Sequence, residues 1–591
     1  MPIMMTMRSF ALAASVVLPV AAFAAEAPKV SQKSPESSMP AGIWVPDQGD
    51  GTYINPVLQG DYSDPDAIRV GDDYYLTASS FTNIPGLPIL HSKDLVNWTL
   101  IGYALERNVP DGHHTTPRRG GGVWAPAIRH HDGKFMIYYP DPDFGIFLVT
   151  ATDPKGPWTK PVLVDNTKGA IDPAPFWDED GQAYLVHGFA GSRAGIKNII
   201  TLKKMSPDGT KTLDSGKYII EGDKLPKVQT SQGLVSWFTT EGPKLYKRAG
   251  YYYVFVPSGS VKGGWQGVFR AKTIDGPYEG RSVIDQGTTE MNGPHQGAWV
   301  DTAPKNGKPG EDWFLHFQDA DSYGRRVMLQ PMTWGKDGWP IIGERQKGQV
   351  YGQPVWRHKK PNVPAQPVAV PVVDDDFRNG YHLGWQWNAN PNEDWADASI
   401  KGKLRLKSIS SSVNLWEAGN LLTQKLPGMT FSATTKLSLM PNLAGERAGL
   451  VVLGYNYGWV GLENTAEGVR LVQVTRLKAS AGGAETVMAA PEKITGPVWV
   501  RAHLEPVTVV DSPPNQPFYW PSMLRSTHAT VTFSYSLDGV TFTPIGAGFT
   551  SQPGRWVGAQ IGVFAQSPTG TPSNTATRVG FVEFEYFKVT P

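Results

Sequence analysis

One pattern recurs five times in the first three fifths of the chain, and it leaves few folds open. "SDPDAIRVGDDYYLTAS" from Ser63, "WAPAIRHHDGKFMIYYP" from Trp124, "IDPAPFWDEDGQAYLVHG" from Ile171, "EGPKLYKRAGYYYVFVPSG" from Glu241 and "NGPHQGAWVD" from Asn292 share one order. Each runs from a proline to a short apolar strand, then through a polar turn to a second strand; the fifth carries a longer turn before Trp313-Phe314-Leu315-His316-Phe317. Gly71-Asp72-Asp73, Asp132-Gly133 and Asp180-Gly181 supply residues that tolerate the tight reversals of antiparallel hairpins. The anchoring prolines, Pro65, Pro126, Pro173, Pro243 and Pro294, recur at roughly 50 residues per unit, the spacing of propeller blades. Five copies predict a five-bladed β-propeller ending near Gly352. Because all five agree in the order of their parts, this is preferred over a large β-sandwich with chance similarity between hairpins.

In a propeller the first strand of each blade lines the central axis, so residues at its start converge from distant parts of the sequence. Three of the motifs carry an acid there: Ser63-Asp64-Pro65-Asp66, Ile171-Asp172-Pro173 and Thr240-Glu241-Gly242-Pro243. Taken singly, each reads as a turn or a cap. At matched blade positions, Asp64, Asp172 and Glu241 fall into one pocket, where gathered like charges raise one another's pKa and favour acid and base chemistry. Glycoside hydrolysis uses such a set: a protonated carboxyl for the leaving oxygen, an ionised carboxylate facing water or sugar, and a third acid to orient and tune. Asp61 and Asp66 flank Asp64 as rivals, and strand alternation lets Asp66 face the same way; equivalence with Asp172 selects Asp64.

At 591 residues the chain exceeds what one core usually organises, so two sizeable domains are expected. With 64 Gly, 50 Pro, 20 Trp, 22 Tyr, 23 Phe and 18% charged residues, an all-β protein is favoured over a helical one. Net charge is +1 without a basic run, which argues against nucleic acid and anionic membrane and for a neutral substrate; with the glycoside-hydrolysis reading of the acids, that is an oligosaccharide or polysaccharide partner. The absence of Cys excludes disulfides, thiolate nucleophiles and zinc-thiolate sites.

Residues 1–24 read as a cleavable signal peptide: Arg8, an apolar run from Phe10 to Ala21, then Ala22-Phe23-Ala24. This predicts a secreted or periplasmic protein with no membrane association after cleavage. A flexible leader follows over 25–50, the propeller over 51–357, and a linker over 358–373 stiffened by Pro361, Pro364, Pro367 and Pro371. From 374 to 591, alternating segments such as "KLRLKS", "AGLVVLGYNYGWVGLE" and "VEFEYFKVTP", with a hairpin turn at Asp538-Gly539, predict a β-sandwich. Trp385, Trp387, Tyr457 and Trp459 are candidates there for sugar platforms or for packed core.

The first domain resembles glycoside hydrolase family 43 over Tyr53 to Gly352. The resemblance is carried by "NPVLQGDYSDPDAIRVGDDYYL", "GLPILHSKDLVNW", "GVWAPAIRHHDGKFMIYY", "IDPAPFWDEDG", "TEGPKLYK" and "QPMTWGKDGWPII". It implies that Asp64 is the general base, Glu241 the general acid, and Asp172 the residue that orients and tunes that acid. It also implies inversion at the anomeric carbon, with base and acid about 6.5 to 9.5 Å apart to admit water. Trp124, heading the second inner strand, is a candidate for stacking on the sugar or for packing in the core; the resemblance puts Phe81 in the sugar pocket, with Arg325 contacting sugar unless a one-residue slip puts Arg326 there. His295 is expected beneath the pocket. No cofactor is required, although in similar enzymes that histidine can contact a water-ligated calcium. The second domain resembles the concanavalin-like, jelly-roll sandwich behind many β-xylosidase propellers. Exo-acting release of β-D-xylose is the implied activity, with α-L-arabinofuranosidase action on arabinoxylan, arabinan or pectic side chains as the alternative and a non-catalytic carbohydrate-binding propeller as the contrasting class.

Overall fold

The computed structural model describes residues 43–510, apart from 306 and 308, together with 525–570 and 579–591. The signal segment and most of the leader lie outside the described residues.

Five antiparallel sheets surround one axis. Their innermost strands are Asp66–Val70, Ala127–His131, Ala170–Trp177, Lys244–Arg248 and His295–Asp301, and each leads outward through three further strands of its own blade. The fourth blade is widened by Glu344–Arg345 and Gly352–Gln353. The polar turns do what their composition asks: Asp132 and Gly133 take φ of 47° and 72°, closing a two-residue loop between paired His131 and Lys134. Between blades the sheets pack through apolar side chains. Ala67 and Leu76 of the first blade meet Val300 and Leu315 of the fifth, all buried. Full burial of each larger aliphatic side chain contributes about 1.5–3 kcal/mol.

The ring is stitched shut by the segment that enters it. Thr52–Ile54 pairs antiparallel with Arg357–Lys359. Asn55 donates from Nδ2 to the Leu329 carbonyl at 2.8 Å and accepts from the Leu329 N–H at 2.8 Å, while the Val57 N–H reaches the Val327 carbonyl at 2.8 Å. Chain segments from both ends of the propeller therefore meet on its fifth blade.

The second domain is a sandwich of two eight-stranded sheets, one built around Arg447–Leu453 and Gln560–Ser567, the other around Phe431–Met440 and Val498–Val510. Leu450, Val452 and Val460 of the first sheet share a core with Val500, Ala502, Val531 and Phe584 of the second. Trp385, Trp387, Tyr457 and Trp459 are all buried, so the four candidates are packing residues and none is a sugar platform. The Asp538-Gly539 reversal is wider than a two-residue turn. Tyr535 pairs with Thr543, and the Asp538 carboxylate closes the loop by accepting from the Val540 and Thr541 N–H groups.

Sandwich and propeller are hydrogen-bonded to each other. Ile84 and Trp387 exchange main-chain hydrogen bonds, and the Ala369 N–H of the proline-spaced link donates to Asn97 Oδ1 at 3.0 Å.

Candidate active site

At one mouth of the propeller axis lies a cavity of about 350 Å³ lined by Asp64, Asp172 and Glu241. The carboxylates sit at the starts of the first, third and fourth inner strands, and the backbone there is unusual. Asp64 and Asp172 have φ of 52° and 56°, and the pairing of the third inner strand slips between Ile171 and Ala174. Such a bulge re-aims a side chain out of the ladder, and Pro173 suits it because proline donates nothing to a sheet. Phe81, Asn198, Thr239, Ser260, Gln296 and Trp556 also line the cavity with positive φ. Left-handed backbone at non-glycine residues is therefore concentrated here, as is common where function holds the chain against its preferences.

The three acids are held differently. Asp64 accepts hydrogen bonds on Oδ2 from Ser79 Oγ at 2.6 Å and Ser63 Oγ at 3.0 Å, and on Oδ1 from Arg325 Nη1 at 3.0 Å. The Arg325 contact is a charge-assisted one, and it fixes the orientation of the carboxyl group. Asp172 accepts from the Gly242 N–H at 2.8 Å, one residue past Glu241. Burial, and then the charge of Asp64, push its carboxyl up from 3.8 to about 7, while the buried Lys244 ammonium, the Gly242 N–H and Gln296 pull the other way. Glu241 is raised well above its ordinary value by burial first, then by Asp172 and Asp64; Arg325 and Lys197 offset part of this. Glu241 thus holds its proton more tightly than an ordinary carboxyl, in the same cavity where Asp64 is bound by a guanidinium and two hydroxyls.

Around them, Phe81, Trp124 and Arg325 line the same cavity. Arg325 is the pocket arginine. Arg326 points away, with Nη2 donating to Gln318 Oε1 at 2.5 Å and Nη1 lying 3.4 Å from Gln59 Oε1. Asp66 does not face the cavity either; it is fully buried, accepting from Arg129 Nη1 at 2.6 Å and the Ile128 N–H at 2.8 Å. His295 lies behind Glu241, 3.7 Å from Nε2 to Oε1, and is 1% exposed. Burial and the nearby Arg325 press its pKa down to about 3, so the ring is neutral, and neither ring nitrogen has a hydrogen-bond partner. A neutral imidazole with free nitrogens fits a contact with a water-ligated cation. No three His, Asp or Glu side chains among the described residues stand together to hold an ion directly.

Reading the sequence missed one wall. Trp556, in the sandwich segment Gly554–Gly558, reaches over to the cavity with φ of 65°. Its ring meets Trp124 edge to face at 6.3 Å, and the Arg325 guanidinium stands 5.7 Å from its centroid. At 39% exposure it keeps open surface at the mouth. Ser79 and Lys197 were missed as well; Ser79 ends a hairpin whose sequence speaks only of strand.

A five-bladed propeller with an arginine-held aspartate and a glutamate of raised pKa at its axial mouth has the equipment of a glycoside hydrolase. Comparison with known proteins gives the family. Residues 53–340 match the model of glycosyl hydrolases family 43, and residues 374–590 match that of the β-xylosidase C-terminal concanavalin A-like domain. The chain is 32% identical over 616 residues to a β-xylosidase of Formosa agariphila, covering 95% of this chain and 94% of that one. It is 31% identical over 439 residues to a non-reducing end α-L-arabinofuranosidase of Bacteroides ovatus, covering 70% and 76%. Among solved structures, a family 43 protein of Bacillus licheniformis superposes with a TM-score of 0.73 at 25% identity, over 91% of this chain and 99% of that one. The protein belongs to glycosyl hydrolases family 43.

Proposed function

We propose that the protein is an exo-acting β-xylosidase that removes terminal β-D-xylose from xylo-oligosaccharides with inversion. The observation that supports this most is the unequal treatment of the axial acids. Asp64, held by Arg325 and two serine hydroxyls, is suited to accept a proton from water; Glu241, driven up by burial and by its two acidic neighbours, is suited to give one to the leaving oxygen. Asp172 orients that acid through the Gly242 N–H and helps keep it protonated through its charge. Action at a chain end suits the wall that Trp556 of the sandwich adds to the mouth, packed edge to face on Trp124.

The substrate reading rests on the matched C-terminal domain and on the β-xylosidase of Formosa agariphila, which is aligned over nearly the whole chain. The Bacteroides ovatus relative favours α-L-arabinofuranosidase activity as the second reading. Parallel assays with aryl β-D-xyloside and aryl α-L-arabinofuranoside separate them, the xyloside being the faster. Failure to cleave either, with xylan oligomers still bound, would leave only a binding propeller. Proton NMR of fresh product should show the α-anomer of xylose first; initial β-xylose would mean retention and make Asp64 a nucleophile.

A further inference from the structure

Asp61 stands three residues before Asp64, takes no part in the chemistry above, and is buried at 7% exposure. Its two carboxylate oxygens are spent on two different domains. Oδ1 accepts from the main-chain N–H of Arg325 at 2.8 Å, and Oδ2 accepts from the main-chain N–H of Gly558 in the sandwich at 2.9 Å. The first of these residues holds Asp64 through its guanidinium; the second lies two residues beyond Trp556.

The surroundings leave little room for another arrangement. A Cβ on Gly324, whose φ is 75°, would lie 2.4 Å from the Asp61 side chain. A Cβ on Gly558 would lie 2.6 Å from the Gly324 nitrogen. Both glycines are thus required for sandwich, fifth blade and carboxylate to approach this closely. Beside them the Ala559 N–H donates to the Ser322 carbonyl at 2.7 Å, and the Gly554 N–H to the Val557 carbonyl at 2.8 Å, folding the Trp556 segment tightly against the joint.

We infer that Asp61 is a positioning residue that registers the sandwich's Trp556 wall to the Arg325 and Asp64 side of the pocket. A carboxylate side chain suits the position because both of its oxygens accept there. It accepts twice, whereas an amide offers one acceptor and turns a donor toward a second N–H. A buried N–H left unmatched is costly, and hydrogen bonds to a charged acceptor are the stronger kind. The sandwich is in this way part of the substrate pocket. The functional half of the inference rests on the sugar-cleaving reading above; the structural half does not.

Two measurements on the full-length protein test it. Hydrogen exchange read by mass spectrometry should show the Gly558 amide losing protection about tenfold in Asp61→Asn while the sandwich core strands keep theirs. Unchanged protection at Gly558 would overturn the proposal whatever the protein cleaves. The second is a double-mutant cycle with Trp556→Ala, read as KM for xylobiose. Asp61→Asn should raise KM about tenfold in the parent and hardly at all once Trp556 is gone, because its effect on binding passes through that ring. An equal rise in both backgrounds refutes the coupling and leaves Asp61 a general stabilising residue. Asp61→Ser, with one small acceptor, repeats both readings if the asparagine variant fails to fold. A parent that cleaves neither sugar breaks the functional reading, and the exchange experiment then still decides the structural one.

Discussion

The two mouths of the propeller axis are both acidic, yet they treat their acids in opposite ways. At the far mouth, a wider cavity of about 590 Å³ is lined by the later residues of the same inner strands. There each lining aspartate has a cation, Asp301 holding Arg69 at 2.9 Å and Asp178 holding Lys247 at 2.6 Å, and from behind the wall the buried Asp66 holds the lining Arg129 at 2.6 Å. Partial burial pushes Asp178 up, but hydrogen bonds from Lys247 and Tyr252 outweigh it and leave its pKa lowered. At the near mouth, Asp172 and Glu241 make no such pair, and both are raised. One architecture therefore matches its acids with cations at one end, while at the other it gives Asp64 an arginine and leaves Asp172 and Glu241 without such a contact. What decides between the two is whether a cation is supplied within contact distance, not where the acid sits on the strand.

The largest effect that would break this contrast belongs to the near mouth. Glu241→Gln removes a proton and almost no volume, and should lower kcat on xylobiose about a thousandfold while leaving product binding and the melting temperature of the fold intact. Near-normal turnover would show that Glu241 is no acid. Behind the far mouth, at the buried partner of Arg129, the matching change should cost stability and spare chemistry. Asp66→Asn strands the Arg129 guanidinium, and urea unfolding should report a loss of about 3 kcal/mol with kcat unchanged.

Asp172→Asn sharpens the comparison through pH. The charge of Asp172 helps raise Glu241, so its removal should move the alkaline limb of the pH–rate profile to lower pH and cut kcat about a hundredfold. The stability sign is also fixed. A carboxyl raised from 3.8 to about 7 contributes stability that is fully present below 3.8 and is lost as pH rises through 7. The variant should therefore gain in melting temperature relative to the parent between about pH 4 and pH 7, and a constant gap would contradict the shift. The smallest effect is expected at the wall. Trp556→Ala should raise KM for xylobiose about tenfold with little change in kcat.

Much of this was legible in the sequence because it is written locally. A blade is a proline, a strand, a turn and a strand in that order, and the turn chemistry at Asp132-Gly133 reappears as positive φ. Equivalence between blades then selected Asp64 over Asp66, a choice that composition alone left open. The sandwich was legible as a fold for the same reason, but its aromatics were not. Trp387, Trp459 and Tyr457 lie in strands whose apolar pattern is equally that of a core or of an exposed face. Trp556 sits in a Gly-Arg-Trp loop that reads only as a turn, and its role exists only through contact with Trp124 and Arg325, hundreds of residues away in sequence. Asp61 was visible as a flanking acid, but its bond to Gly558 spans 497 residues, which no local pattern encodes.

The stitched ring has a consequence for how the molecule is made. Thr52–Ile54 leaves the ribosome early, while its partner strand Arg357–Lys359 arrives only after all five blades have been synthesised. The seam can therefore close only after all five blades have been made, and until the fifth blade emerges the apolar face formed by Ala67 and Leu76 has no Val300 and Leu315 to cover it. A nascent chain halted before the fifth blade would carry an open, sticky edge, so chaperone capture and aggregation should concentrate on that interval of translation.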